Sequence, residues 1–165
     1  MRPRVDAAIT SDCRAIARIY NEGIDDRTAT FETRHRSAHE VAAWLASGYP
    51  LVVVREGPEV QAFASCCEYR PRACYRDIAE FSVYVARSRR GRGLGGLALD
   101  GLMQVAPTAG VRKLVSRVFT ENVASRRLLA SRGFREVGIY RRHGRLDGVW
   151  HDVVIVERLL DELAA

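Results

Sequence analysis

Arg89-Arg90-Gly91-Arg92-Gly93-Leu94-Gly95-Gly96 lies between Phe81-Ser82-Val83-Tyr84-Val85, which has the composition of a strand, and an apolar run from Leu97 to Val105. A strand on one side and a helix on the other make this segment a glycine-rich turn. Backbone N–H groups that converge at a helix N-terminus beside arginines form an anion site. Gly91, Gly93 and Gly96 also satisfy G-x-G-x-x-G, so a dinucleotide fold has to be weighed. That fold wants an acidic residue about 20 residues on, at the end of the next strand, whereas Arg112 to Phe119 carries only basic, apolar and serine side chains. A P-loop fails too, because no Lys-Ser or Lys-Thr follows the glycines.

Upstream of the turn, Ile78 to Val85 reads as one strand on which Glu80, Ser82 and Tyr84 share a face opposite Phe81, Val83 and Val85. Before it, Arg70-Pro71-Arg72-Ala73-Cys74-Tyr75-Arg76 is a loop rich in arginine. Leu51 to Arg55 and Val60 to Cys67 flank Glu56-Gly57-Pro58-Glu59 as a hairpin. Two helices are predicted ahead of the hairpin. One follows the caps offered by Thr10-Ser11-Asp12 and ends near Gly23, and one follows the capping box Ser37-Ala38-His39-Glu40. Residues 24 to 36 show no period and read as an exposed connection bordering a site. Downstream of the turn come a helix from about Gly93 to Val105, a strand over Arg112–Phe119 and a helix led by Thr120-Glu121-Asn122 that Gly133 ends. Two last strands, Phe134–Tyr140 and Trp150–Val156, are joined by a polar connector containing Gly144 and Asp147-Gly148.

The 165 residues suffice for one buried core and predict a single domain over 1–165. No apolar run approaches the roughly 18 residues of a membrane span, and residues 1–6 pass into mixed polar sequence without the apolar segment of a secretory signal. A cytoplasmic location without a membrane partner is expected. Cys13, Cys66, Cys67 and Cys74 lack C-x-x-C spacing and read as buried small hydrophobes. The net charge of +6 comes without a block of basic residues, so an anionic small ligand is expected rather than nucleic acid. No histidine has ligand-like spacing, and no metal is assigned.

Arg90-x-x-Gly93-x-Gly95 after Val83-Tyr84-Val85, with Asn122 and Gly133-Phe134 beyond the next strand, resembles the GNAT superfamily of N-acetyltransferases over nearly the whole chain. Ile19-Tyr20-Asn21, Thr28 to Thr33, Arg70-Pro71-Arg72-Ala73, Glu80-x-Ser82-Val83-Tyr84-Val85 and Trp150-His151-Asp152-Val153 are similar to the phosphinothricin and methionine sulfoximine acetyltransferases. Ile78 to Val85, Lys113 to Phe119 and Leu146 to Trp150 resemble the arsinothricin N-acetyltransferases more closely still. The resemblance implies an α/β fold: a mixed, mostly antiparallel sheet of about seven strands flanked by about four helices. It also implies acetyl-CoA as co-substrate, an amino acid with a tetrahedral anionic side chain as acceptor, and a homodimer.

By the same resemblance, the backbone of Val83, Tyr84 and Val85 meets the pantetheine arm, with the Val85 N–H on the developing oxyanion. Arg90, Gly91, Arg92, Gly93, Leu94 and Gly95 hold the pyrophosphate, and Asn122 binds further along the cofactor. Glu80 is the candidate base, because a carboxylate on an otherwise apolar strand is costly without a role or a partner. The alternative is an ion pair with Arg70, Arg72 or Arg76. Arg70 and Arg72 are candidates for the acceptor's anionic group, since a guanidinium presents a planar fork of donors. The alternative for each is a solvated surface position. Phe31, Glu32 and Tyr75 are expected to line the acceptor pocket, and His151 is read as a structural hydrogen-bonding residue. Where relatives carry a Tyr or His able to protonate the leaving thiolate, this chain has Leu129. A module that binds cofactor or nucleic acid without turnover is the reading from a different class.

Overall fold

The computed structural model describes residues 1–160, so the domain expected over 1–165 runs past the described residues at its C-terminal end. Its elements in chain order are β1 (Arg4–Ala7), α1 (Cys13–Asp25), α2 (Ala38–Ala46), β2 (Leu51–Glu56), β3 (Glu59–Glu68), β4 (Ile78–Val85), α3 (Leu94–Val105), β5 (Lys113–Phe119), α4 (Val123–Ser131), β6 (Arg135–Leu146) and β7 (Val149–Leu159). The strands form one 7-stranded sheet in the order β1-β2-β3-β4-β5-β7-β6. Every pairing is antiparallel except that of β4 with β5. The α3 crossover between those two strands is what makes them parallel.

Alternation of side chains sends each strand's residues to two cores. On one face Val54, Ala64, Phe81, Leu114, Val118, Val154 and Val156 pack with Leu94, Leu99 and Leu102 of α3 and Leu129 of α4. On the other, Val53 and Phe63 pack with Ile16 and Ile19 of α1 and Val41 of α2. A third cluster, Phe119, Leu146 and Val153 with Phe31 against it, lies nearer the far edge of the sheet. A Cβ on Gly23 would stand 2.7 Å from the Tyr84 ring, so α1 rests directly on β4.

The capping box of α2 forms as its spacing predicts: Ser37 N–H donates to Glu40 (2.8 Å), and Glu40 N–H donates to the Ser37 hydroxyl (3.2 Å). Asp12 does not cap α1 through its side chain. Its carboxylate accepts from Ile9 N–H (2.9 Å) and from both terminal nitrogens of Arg55 (2.7 Å each), locking the start of α1 to β2. The predicted polar connector after Tyr140 is instead strand. β6 runs on to Leu146 with an irregularity between Tyr140 and Gly144, and only Asp147-Gly148, both at positive φ, turn the chain. Two of the four cysteines also depart from expectation, since Cys67 and Cys74 are exposed. Among the described residues no helix is long and apolar enough to cross a membrane.

Candidate active site

The parallel pairing of β4 with β5 lasts only from Ile78↔Lys113 to Glu80↔Val115. Beyond Glu80 the strands part, while β5 stays paired to β7 as far as Phe119↔Val153. The Ala86 N–H donates to Gln61 O of β3 at 2.7 Å. By alternation of an antiparallel ladder, the main-chain groups of Val83 and Val85 therefore point away from β3, into the opening. Tyr84 is turned the other way: its main chain pairs with Phe63 on β3 and its ring lies on the α1 face. The opening is thus served by the backbone of Val83 and Val85 and not by that of Tyr84.

The glycine turn closes one end of this opening. Gly91 (φ 77°) and Gly93 (φ 79°) sit in the left-handed region, where a side chain is strained, and the space around their would-be Cβ positions is empty. Gly93 is the N-cap of α3 and supplies no side chain to the first-turn N–H groups, which leaves them for an anion. Gly95 packs α3 onto the opening; a Cβ there would lie 3.3 Å from Leu128 and 3.4 Å from Val85. Leu94 is buried at the root of the turn, and Arg92 is exposed beside it. The Arg90 guanidinium is committed elsewhere, to Asp26 (2.6 Å) and to Val85 O (3.3 Å). Asn122 caps α4, accepting from Ser125 N–H (3.2 Å) and donating to Thr28 O (3.4 Å).

On the α1 face, Glu80 is half-buried directly across from Cys67. Among the described residues it makes no ion pair; Arg76 pairs with Asp77 (3.7 Å), and the Arg70 and Arg72 guanidiniums lie over Tyr69 (5.2 Å) and Tyr75 (5.8 Å). The ion-pair alternative for Glu80 is therefore not realised. Burial, then Glu80, then Glu68 push the Cys67 thiol up. Burial also raises Tyr20, with further contributions from Glu32 and Cys67. Tyr84, raised by burial and then by Tyr20, packs edge-on to Tyr20 at 5.0 Å, and the Thr30 hydroxyl, which accepts from Glu32 N–H (3.1 Å), lies near both phenols. Glu80, Cys67, Tyr20, Thr30, Tyr84 and Glu32 thus lie near one another on the α1 face.

Glu32 is exposed and paired with Arg36 (2.6 Å). Phe31 packs against Phe119 (4.7 Å) and meets Gly144 closely, with His151 at 6.1 Å. His151 stacks on Phe119 (4.8 Å) and its Nδ1 bonds to Glu121 (2.7 Å). The Arg70–Tyr75 loop is largely exposed. The Arg70 guanidinium is held further up by Tyr69, then Tyr75 and Tyr140. Leu129 is buried in the α3 core, so the helix position expected to carry a proton donor holds a side chain without one. Tyr20 and Thr30 lie in stretches that carry the family resemblance but no assigned role, and Cys67 and Asp26 carry no site signal of their own in the sequence. Each reaches the site from a segment far from the glycine turn, and only the residue-24-to-36 connection, flagged as bordering a site, carried a signal.

A family model, Acetyltransferase (GNAT) family, matches residues 16–134. The chain belongs to the GNAT acetyltransferase family. It is therefore an acyltransferase. A phosphinothricin N-acetyltransferase of Streptomyces coelicolor is 32% identical, the match covering 95% of this chain and 96% of that one. An L-methionine sulfoximine/L-methionine sulfone acetyltransferase of Salmonella typhimurium is 33% identical over 94% and 93%. Among solved structures, an acetyltransferase of Salmonella typhimurium with its cofactor acetyl-CoA superposes with a TM-score of 0.91 at 32% identity, over 99% of this chain and 96% of that one. The GNAT fold expected from the sequence, mixed and mostly antiparallel, is the observed one.

Proposed function

We propose that this GNAT enzyme N-acetylates the α-amino group of an amino acid antimetabolite, arsinothricin or phosphinothricin, in the cytoplasm, and so confers resistance to it. Methionine sulfoximine is the runner-up acceptor. The reading is supported by relatives that acetylate phosphinothricin and methionine sulfoximine. The observation that carries it is the parting of β4 from β5 just past Glu80, which puts a carboxylate with no ion-pair partner among the described residues beside a free strand edge.

Acetyl-CoA is the co-substrate and supplies the acetyl group through its thioester. The glycine turn fits its pyrophosphate: two glycines with empty space above them and an uncapped 12-residue helix behind. Arg92 and the backbone from Arg90 to Gly95 hold that end, Val83 and Val85 offer main-chain bonds along the opening, and Asn122 offers its amide from the other wall. Glu80 takes the proton from the acceptor ammonium, directly or through a water. The Val85 N–H donates to the carbonyl oxygen as charge develops there. Arg72, with Arg70 and Tyr75, holds the acceptor's tetrahedral anion, and Phe31 and Glu32 border its amino acid end. The homodimer uses the β6 side of the sheet, where Val137, Ile139, Tyr140, Val149 and Trp150 are exposed together; light scattering after gel filtration tests it.

Thiol release from acetyl-CoA with arsinothricin, phosphinothricin, methionine sulfoximine and ordinary amino acids tests the assignment. The two antimetabolites are expected to give the highest kcat/KM. Equal or better turnover of ordinary amino acids would reject the resistance role.

A further inference from the structure

The segment from Asp26 to Phe31 crosses the opening between β4 and β5 and is tied to both walls. Asp26, the C-cap of α1, accepts from Arg87 Nε (3.1 Å) and Nη2 (2.7 Å) and from Arg90 Nη1 (2.6 Å). The next α1 turn back adds to this: Glu22 accepts the Arg87 backbone N–H at 2.7 Å. Arg90 in turn spans from Asp26 to Val85 O, the last carbonyl of β4. On the other wall Thr28 O accepts from Asn122, and Phe31 packs on Phe119. Between them Arg27, at φ 58°, reaches Asp147 in the β6–β7 turn (3.1 Å).

The chemistry of this arrangement is unusual for an anion site. A carboxylate, its side chain 21% exposed, stands beside the phosphate turn and takes the charge of two arginines that flank it. A free carboxylate there would repel a pyrophosphate. One bonded three times to guanidinium N–H groups is instead a fixed anchor. What it anchors is the path of the chain from Val85 into Gly91, and so the direction of the turn's N–H groups. The Asp26 carboxyl is kept ionised accordingly: burial raises it, but the bonds from Arg87 and Arg90 win and hold it below the usual carboxylate range.

We infer that Asp26 is a positioning residue for donor binding, which acts through Arg90 to hold the glycine turn in its phosphate-binding shape. This rests on the assignment of acetyl-CoA to the opening, and not on which amino acid is acetylated. Asp26→Asn is expected to weaken acetyl-CoA binding by about five- to tenfold, the range of a partly exposed charge-assisted contact. The donor KM should rise in step, with kcat at saturating donor changed less than about twofold. Asp26→Glu, which keeps the charge, should restore most of the affinity.

The measurement is calorimetric binding of acetyl-CoA to wild type, Asp26→Asn, Asp26→Glu, Arg90→Met and the double variant Asp26→Asn/Arg90→Met, with thermal melting of each as a control for folding. If Asp26 works through Arg90, the double variant binds no more weakly than Arg90→Met alone. Unchanged or tighter binding by Asp26→Asn overturns the inference, and so does full additivity with Arg90→Met. Because binding is read without an acceptor, a wrong acceptor assignment leaves these outcomes as they are. A wild type that does not bind acetyl-CoA overturns the donor assignment and this inference together.

Discussion

The two sides of the β4–β5 opening are built from different materials. In the proposed assignment the donor side is nearly all backbone: Val83 and Val85 main-chain groups, two left-handed glycines and the N-terminus of α3, contiguous within one stretch of chain. In the same assignment the acceptor side is nearly all side chain, and its proposed members come from α1 (Tyr20), the following connection (Thr30, Phe31, Glu32), β3 (Cys67), the arginine loop (Arg70, Arg72, Tyr75) and β4 (Glu80). A backbone site recognises what its relatives recognise, because its geometry survives exchange of side chains. A side-chain site can change its ligand by single substitutions.

The sharpest way to break this comparison is at Glu80. Glu80→Gln should lower kcat/KM by about two orders of magnitude, the lower end for a general base, while acetyl-CoA affinity by calorimetry stays at the wild-type value. Full activity across the pH range would remove Glu80 from the mechanism. Arg72→Met follows: the acceptor KM should rise about tenfold with the loss of a charge-assisted contact, and the donor KM should not move. A change in the donor KM instead would place Arg72 on the other side of the opening.

On the donor side, Gly93→Ala places a Cβ at φ 79°. Strain of about 1–2 kcal/mol should show as a lower melting temperature and a donor KM several-fold higher, with the acceptor KM unchanged. The smallest effect lies outside both sides and serves as a baseline. Glu40, bonded by Arg34 and by the Ser37 N–H, is held down at about 2 from 4.5. A carboxyl whose folded pKa is depressed stabilises above its unfolded pKa and loses that contribution as pH falls through the folded one. Glu40→Gln should therefore narrow the difference in melting temperature between pH 5 and about pH 2 and leave kinetics at neutral pH untouched.

Much of the fold was legible because its signals are local. The capping box at Ser37, the hairpin at Gly57-Pro58 and the strand-turn-helix from Ile78 to Val105 each depend on neighbours in sequence, and each forms where the pattern put it. The end of β6 escapes a local reading because Gly144 and the basic residues around it look like a loop. Pairing with β7 and packing of Phe31 onto Gly144 override that composition. Hydrophobicity alone reads Cys67 as core, but its place on the ladder opposite Glu80 leaves it exposed beside that carboxylate.

The sequence by itself determined the donor side: glycines where φ must be positive, an apolar helix behind them and a strand before them are all written within one contiguous segment. Only the tertiary structure decided how the acceptor-side residues come together. Tyr20, Thr30, Cys67 and Glu80 have no fixed spacing, and nothing brings them together except α1 packing on β4 through Gly23 and the register of β3 against β4. The same holds for the Arg90 side chain, to which the end of α1 brings Asp26 at 2.6 Å. Contacts between distant segments are paid for by the packing of whole elements, and a local pattern carries no record of them.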